Sequence, residues 1–344
     1  MYNDYYMNIL KYIQKSYSAN EICKKEGITR KQLYYYLLCL KNDGISFNRK
    51  YYDNGEIVYC PIKSIRDYEN KNSVDLITEK DKKFVKLLVI SDIHFGNDRE
   101  NIKYLESAYN YCIKNGINVI LNAGDLIDGT FTFNEKERED EEVYEQIRHL
   151  IKDYPFDESI TNICVLGNHD YSAFKKCKIN LEKTLENKRH DIITCGFANT
   201  TVNIKNDKIL LFHNVNGIPI LKDNFSFIFK GHSHKYLTEK KDNTASILVP
   251  SLSDVQMHDT LPSCLDLYLE FKDGLIVASE IKQVSFMDKD LILGVNRIDF
   301  ERGKTQKGEV QNEEDYSIFS NGIFDDLIID DLDEEKRKTK KLKI

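Results

Sequence analysis

The sequence predicts an α/β protein of layered sheets, preceded by a small helical module. Two observations carry that prediction. From Lys83 onward, short apolar runs bounded by polar loops alternate with helical stretches. Ahead of them, two helix-start signals and a hairpin signal fall within residues 1–62.

Taken in order, Ile9 to Gln14 reads as an apolar-periodic helix. Ser18-Ala19-Asn20-Glu21 is a capping box that starts a second helix, and Gly27 ends it. Thr29-Arg30-Lys31-Gln32 is another capping box. It is followed by Leu33, Leu37, Leu38 and Leu40, with a stop at Asn42-Asp43-Gly44. Strand-like runs Ile45 to Tyr52 and Glu56 to Cys60 flank Asp53-Asn54-Gly55, a hairpin turn. Residues 63–82 are polar and read as a linker. The layered domain is expected over 83–285, with strands at Phe84 to Ser91, Val119 to Asn122, Ile163 to Leu166 and Ile209 to Phe212. Helices are expected at Asn101 to Asn115 and Glu141 to Asp153, and a late hairpin turns at Lys272-Asp273-Gly274. Residues 286–344 read as a C-terminal extension. Residues 313–335 hold ten acidic and no basic residues, and 336–343 hold six Lys or Arg. Such blocks predict a largely disordered tail, whose interspersed apolar residues suit a protein partner.

With 344 residues, 41% hydrophobic and 31% charged, the chain has the composition of a soluble globular protein of more than one domain. A net charge of −7 excludes a protein that coats nucleic acid by overall charge. No apolar run approaches the roughly 20 residues that span a membrane, so no membrane partner is expected. The N-terminus lacks a basic cluster followed by an apolar core. The eight cysteines are never spaced as CxxC, which argues against a disulfide framework or structural zinc. The expected setting is the cytoplasm.

The chemistry lies in the loops that end the strand-like runs. They read Ser91-Asp92-Ile93-His94, Gly124-Asp125-Leu126-Ile127-Asp128 and Gly167-Asn168-His169-Asp170. Leu211-Phe212-His213 and Gly231-His232-Ser233-His234 follow. Five of the eight histidines fall here. Ligands collect at the carboxyl ends of strands in open α/β sheets, and imidazole with carboxylate suits a divalent transition metal. Asp92 and His94, two apart on an extended segment, would point the same way and grip one ion; the same reasoning applies to His232 and His234. Asp125, with two oxygens, can bridge two ions. Seven candidates suit two ions about 3.5–4 Å apart, the arrangement that clamps a phosphoryl group.

These five loops resemble the signature of the calcineurin-like metallophosphoesterases: D-x-H, G-D-x-x-D, G-N-H-D/E, H and G-H-x-H, in the family's order. The resemblance runs from about Phe84 to about Ile281. It implies a four-layer αββα sandwich and a hydrolase of phosphoester bonds. It also implies two divalent ions, manganese first, with iron, zinc or nickel as alternatives. One ion would take Asp92, His94, Asp125 and His234, and the other Asp125, Asn168, His213 and His232. His169 would be the catalytic histidine, oriented by Asp128. Two departures stand out. Gly129 follows Asp128 directly, where the protein serine/threonine phosphatases have Arg-Gly. Asn214 follows His213, where many members have glycine.

The N-terminal module resembles a winged helix-turn-helix. That likeness implies DNA contacts from Arg30 and Lys31 at the start of the third helix and from Arg49 and Lys50 on the wing. Residues 1–60 carry nine Lys or Arg against six Asp or Glu. Three functions stay open. One is a phosphodiesterase or nuclease brought to nucleic acid, similar in part to double-strand-break repair nucleases. Another is a small-molecule phosphodiesterase or phosphatase with a protein-docking module. The third is a non-catalytic DNA-binding regulator.

Overall fold

The computed structural model of the protein describes residues 4–62, 73–130, 140–213, 224–255, 260–287 and 290–302. Asn214, His258, residues 63–72 of the expected linker and the tail from 303 onward lie outside the described residues. The described residues all belong to one unit.

The chain begins with α1 (Asp4–Gln14), α2 (Ala19–Glu26) and α3 (Arg30–Asn42), then a hairpin of β1 (Phe47–Tyr52) and β2 (Ile57–Pro61). After β3 (Ser73–Ile77) come β4 (Phe84–Ile90), α4 (Ile102–Asn115), β5 (Val119–Asn122), α5 (Asp140–Asp153) and β6 (Thr161–Leu166). Next are α6 (Asn168–Cys177), α7 (Leu181–Lys188), β7 (Ile192–Phe197), β8 (Asn199–Ile204), β9 (Asp207–Phe212) and β10 (Phe227–Lys230). The described chain ends with β11 (Leu237–Lys241), β12 (Thr244–Leu248), β13 (Ser263–Lys272), β14 (Leu275–Ser285) and β15 (Leu291–Asp299). Both predicted capping boxes form. Ser18 Oγ accepts from the Glu21 amide at 3.2 Å while the Ser18 amide donates to Glu21 Oε2 at 2.8 Å, and Thr29 and Gln32 repeat the exchange.

Two mixed sheets face each other. One runs β15-β14-β13-β4-β5-β6-β7 and the other β11-β12-β10-β9-β8-β3-β1-β2. The period-2 alternation of strands explains the layering. Val85, Leu87, Val89, Leu121, Ile163 and Val165 enter the core between the sheets. Their neighbours Leu88, Ile90, Ile120, Cys164 and Leu166 enter a second core with Leu105, Tyr109, Ile147 and Leu185 of α4, α5 and α7. Strands buried on both faces read as unbroken apolar runs, and β4, β5, β6 and β7 are parallel, as such strands usually are. No helix among the described residues is long and apolar enough to cross a membrane.

The three helices and hairpin are present, but the hairpin is the end of the eight-stranded sheet rather than a free wing. Tyr51 and Tyr52 of β1 pair with Leu76 and Ile77 of β3, which in turn pairs with β8. The hairpin turn rests on the edge of the seven-stranded sheet: Thr161 Oγ1 of β6 donates to the Gly55 carbonyl at 3.0 Å, and a Cβ on Gly55 would collide with the Ser159 carbonyl. The expected linker therefore contains a strand. Its polar composition hid the alternation of buried Val74 and Leu76 with exposed Asp75. The expected extension likewise contains β15, an edge strand with exposed Leu291, Ile292 and Val295. On the helical side, Tyr34 of α3 stacks on His190 with ring centroids 4.4 Å apart, and Lys41 Nζ reaches Glu186 Oε1 of α7 at 2.6 Å.

His190 is 1% exposed and its Nδ1 lacks a hydrogen bond. Burial first, then Arg49 and Lys41, hold its pKa well below the usual value. Above an unfolded pKa of about 6.5 the ring is neutral in both states. Below it only the unfolded chain takes up the proton, so stability falls with acidification, by up to about 1.4 kcal/mol per pH unit. His190→Phe keeps the stack on Tyr34 and removes this linkage. Denaturant midpoints at pH 7.5 and pH 5 should differ less in the variant than in wild type; an equal difference contradicts the assignment.

Candidate metal centre

The parallel registers bring the motif loops together. β4, β5 and β6 end side by side in one sheet, and β9 and β10 end side by side in the other. Asp92 and His94 follow β4, Asp125 follows β5, Asn168 and His169 follow β6, His213 follows β9, and His232 and His234 follow β10. The loops are not extended. Asp92, His94, Asp125, His232 and His234 all have φ between 54° and 73°. Left-handed backbone costs a non-glycine residue on the order of 1–3 kcal/mol and gathers where a site requires it. Gly124, Gly167 and Gly231 make the approach possible, since a Cβ on any of them would strike the His213 ring.

This backbone separates the two histidines of the last motif, which an extended segment would have turned to one ion. His234 groups with Asp92 and His94, whereas His232 groups with Asp125 and His213; within each group the nearest donor atoms lie within 4.8 Å of one another. His234 Nε2 is 3.2 Å from Asp92 Oδ1 and 3.4 Å from His94 Nε2. His213 Nε2 is 3.0 Å from Asp125 Oδ2 and 3.2 Å from Asn168 Oδ1. Asp125 Oδ2 also lies 4.0 Å from His94 Nε2, so this carboxylate stands between the two groups.

Backbone carbonyls set the ring protons. His213 Nδ1 is 2.6 Å from the Ala123 carbonyl, His234 Nδ1 is 2.5 Å from that of Val255, and His169 Nδ1 is 2.8 Å from that of Asp128. A carbonyl only accepts, so each Nδ1 carries hydrogen and each Nε2 turns its other face inward. Buried carboxylate oxygens and imidazole nitrogens thus converge with few donors among them. Asp125 Oδ2 makes no hydrogen bond. Burial opposes ionisation of Asp125, and His213, His169 and His94 outweigh it and hold the carboxyl below the usual range. Burial opposes the charged form of His213 as well, yet Asp125 and Asp92 push its pKa up to about 10. The centre calls for positive charge between these atoms, and a cation meets that demand as a proton does.

Around the centre, Asp128 acts on His169 through its backbone carbonyl. Its Oδ1 is 3.7 Å from His169 Nδ1 and accepts from Asn97 Nδ2 at 2.9 Å. Ser251 and Ser253 hydroxyls donate to the Asp92 carbonyl at 2.8 and 3.0 Å. Asp170, the last letter of its motif, accepts from the amides of Leu126, Ile127 and Gly167 at 2.9–3.2 Å and so ties the second motif to the third. Burial, then the Asp125 charge, pushes its carboxyl up to about 7 against the pull of those three amides. Asp170 is not among the expected site residues, although it stands in the G-N-H-D motif. Gln146 is likewise absent from them; its one signal in the sequence is a polar side chain within the apolar Val143, Ile147, Leu150 stripe of α5.

Of the four residues expected on a nucleic-acid face, two turn inward and two stay exposed. Arg30 is 2% exposed and its Nη2 donates to Asn20 Oδ1 at 2.7 Å. The Arg49 side chain is 9% exposed, lies over the Tyr51 ring and reaches Glu186 at 3.7 Å. Lys31 and Lys50 are exposed. Helix packing and sheet formation took the two arginines, because α3 and β1 turn these positions toward the rest of the chain.

Residues 85–254 match the family profile of the calcineurin-like phosphoesterases. No curated protein sequence matches the chain. Among solved structures, wild-type Vps29 complexed with zinc from Entamoeba histolytica is 16% identical, with a TM-score of 0.37 over 63% of this chain and 100% of that one. A predicted phosphoesterase from Streptococcus pneumoniae TIGR4 is 12% identical, with a TM-score of 0.36 over 63% and 99%. A novel archaeal phosphodiesterase is 15% identical, with a TM-score of 0.36 over 56% and 97%. On the family match, with every motif loop from Asp92 to His234 inside it, this chain carries a calcineurin-like phosphoesterase domain at residues 85–254.

Proposed function

We propose that the chain is a metal-dependent phosphodiesterase. One observation carries this reading: Asp125 stands between two groups of inward-facing acceptors, Asp92–His94–His234 and His213–His232 with Asn168. Asp92, His94, Asp125 and His234 would hold one divalent ion, and Asp125, Asn168, His213 and His232 a second. Manganese is the expected metal, and iron, zinc and nickel suit the same donors. Divalent ions at such a centre supply charge neutralisation at the phosphoryl oxygens and a water acidic enough to attack phosphorus.

The chain's own residues do the rest. His169 is held through Nδ1 to the Asp128 carbonyl, with Nε2 4.0 Å from Asp125 Oδ2 at the edge of the centre. Nε2 is then the nitrogen that delivers a proton to the leaving oxygen. Gly129 has φ 64°, and a Cβ there would collide with the His169 carbonyl and the Ser172 hydroxyl. The position therefore does not accept the arginine of the protein-phosphatase branch. Of the two expected substrate classes, nucleic acid and a small diester, the buried state of Arg30 and Arg49 favours the small diester. The full donor set favours turnover over a purely regulatory role.

The full chain with manganese should hydrolyse an aryl phosphodiester faster than an aryl monoester, single-stranded DNA or duplex DNA. Asp125→Asn should lose the most activity, because it weakens both groups at once. A variant that keeps more than about a tenth of the wild-type rate would falsify the two-ion reading.

His169→Ala should leave metal content unchanged and slow poor leaving groups by about 10²–10⁴-fold, with a smaller loss on nitrophenyl esters. Equal losses on good and poor leaving groups would remove the proton-donor role.

A further inference from the structure

Gln146 lies on α5, outside every motif loop, and is 4% exposed. Its side-chain amide pairs with both backbone groups of one residue. The Gly129 amide donates to Gln146 Oε1 at 2.7 Å, and Gln146 Nε2 donates to the Gly129 carbonyl at 3.0 Å. The Gly129 N–H belongs to the same peptide unit as the Asp128 C=O. That carbonyl accepts from His169 Nδ1 at 2.8 Å. A continuous chain of hydrogen bonds therefore runs from Gln146 Oε1 through one peptide plane to the imidazole of His169.

The surroundings give the segment few other ways to turn. The Asp128 amide donates to the Phe95 carbonyl at 3.0 Å, and the Thr130 amide donates to Ser172 Oγ at 2.8 Å. Gly129 itself is in the left-handed region, where the peptide planes on either side are freest to flip. Gln146 Oε1 holds the N–H end of the plane between Asp128 and Gly129, and His169 Nδ1 meets its carbonyl end. Gly96 leaves room for it, since a Cβ there would collide with Gln146 Cγ.

We infer that Gln146 is a positioning residue for His169, acting through the Asp128–Gly129 peptide. By accepting from that N–H it polarises the carbonyl and fixes its direction, which fixes the ring on the Nδ1–H tautomer and turns Nε2 toward the centre. The inference rests on the proposed phosphodiesterase reading for its kinetic consequence, though not for its structural one.

Three full-length variants test it: Gln146→Leu, Gln146→Glu and Gln146→Leu combined with His169→Ala. Leucine removes both hydrogen bonds, whereas glutamate keeps an acceptor for the Gly129 N–H. On a diester with a poor leaving group, Gln146→Leu should lower kcat by about 10–100-fold with KM and metal content unchanged, and Gln146→Glu should recover part of that loss. In the His169→Ala background, Gln146→Leu should cost nothing further, because both changes act on one element. A loss of the same size in both backgrounds overturns the inference and makes Gln146 a merely structural residue. A readout free of turnover is long-range ¹H–¹⁵N correlation of histidine-labelled, metal-free protein. His169 should be the Nδ1–H tautomer in wild type and a mixture in Gln146→Leu, provided the variant's melting transition remains cooperative. An unchanged tautomer in Gln146→Leu also overturns it. If wild type hydrolyses nothing while the tautomer shifts as expected, the phosphodiesterase reading fails and the positioning role stands.

Discussion

The buried carboxylate of Asp125 is the constraint on which the rest of the centre depends. It has no exposed surface, and its Oδ2 faces imidazole nitrogens from both sheets without a hydrogen bond. A bare charge in that position is costly, so the surrounding loops must bring positive charge to it. The registers of both sheets deliver those loops to one place, and the left-handed residues bend them inward. Strain of that kind persists only where packing over-determines it, and here two cores meet on β4, β5 and β6 directly beneath the site.

Orientation comes mostly from main-chain groups. Carbonyls of Ala123, Asp128 and Val255 fix His213, His169 and His234. Amides of Leu126, Ile127 and Gly167 converge on Asp170. Backbone is rigid once its strands are paired, so a fold that places these groups also preorganises the rings.

Much of this was legible in the sequence because it depends on local rules. The capping boxes at Ser18 and Thr29, the strands from Val119 and Phe84, and the hairpin at Asp273 follow from periodicity and turn chemistry and formed where expected. The motif loops converge because strand ends in a parallel sheet are neighbours. Long-range choices were not legible. Nothing local tells that β1 pairs with β3 and so continues the eight-stranded sheet, or that Arg30 and Arg49 turn inward. The split of His232 and His234 between two groups depends on positive φ values that no alternation rule anticipates. Gln146 was visible only as a polar interruption of an apolar stripe.

The central claim is that these side chains make one centre for two divalent ions bridged by Asp125. The most direct measurement is equilibrium binding of manganese to the dialysed full-length protein, counted per chain at neutral pH. The account predicts two ions per chain in wild type and loss of at least one in Asp125→Ala. A wild-type stoichiometry of one or none, or two ions retained in Asp125→Ala, contradicts it.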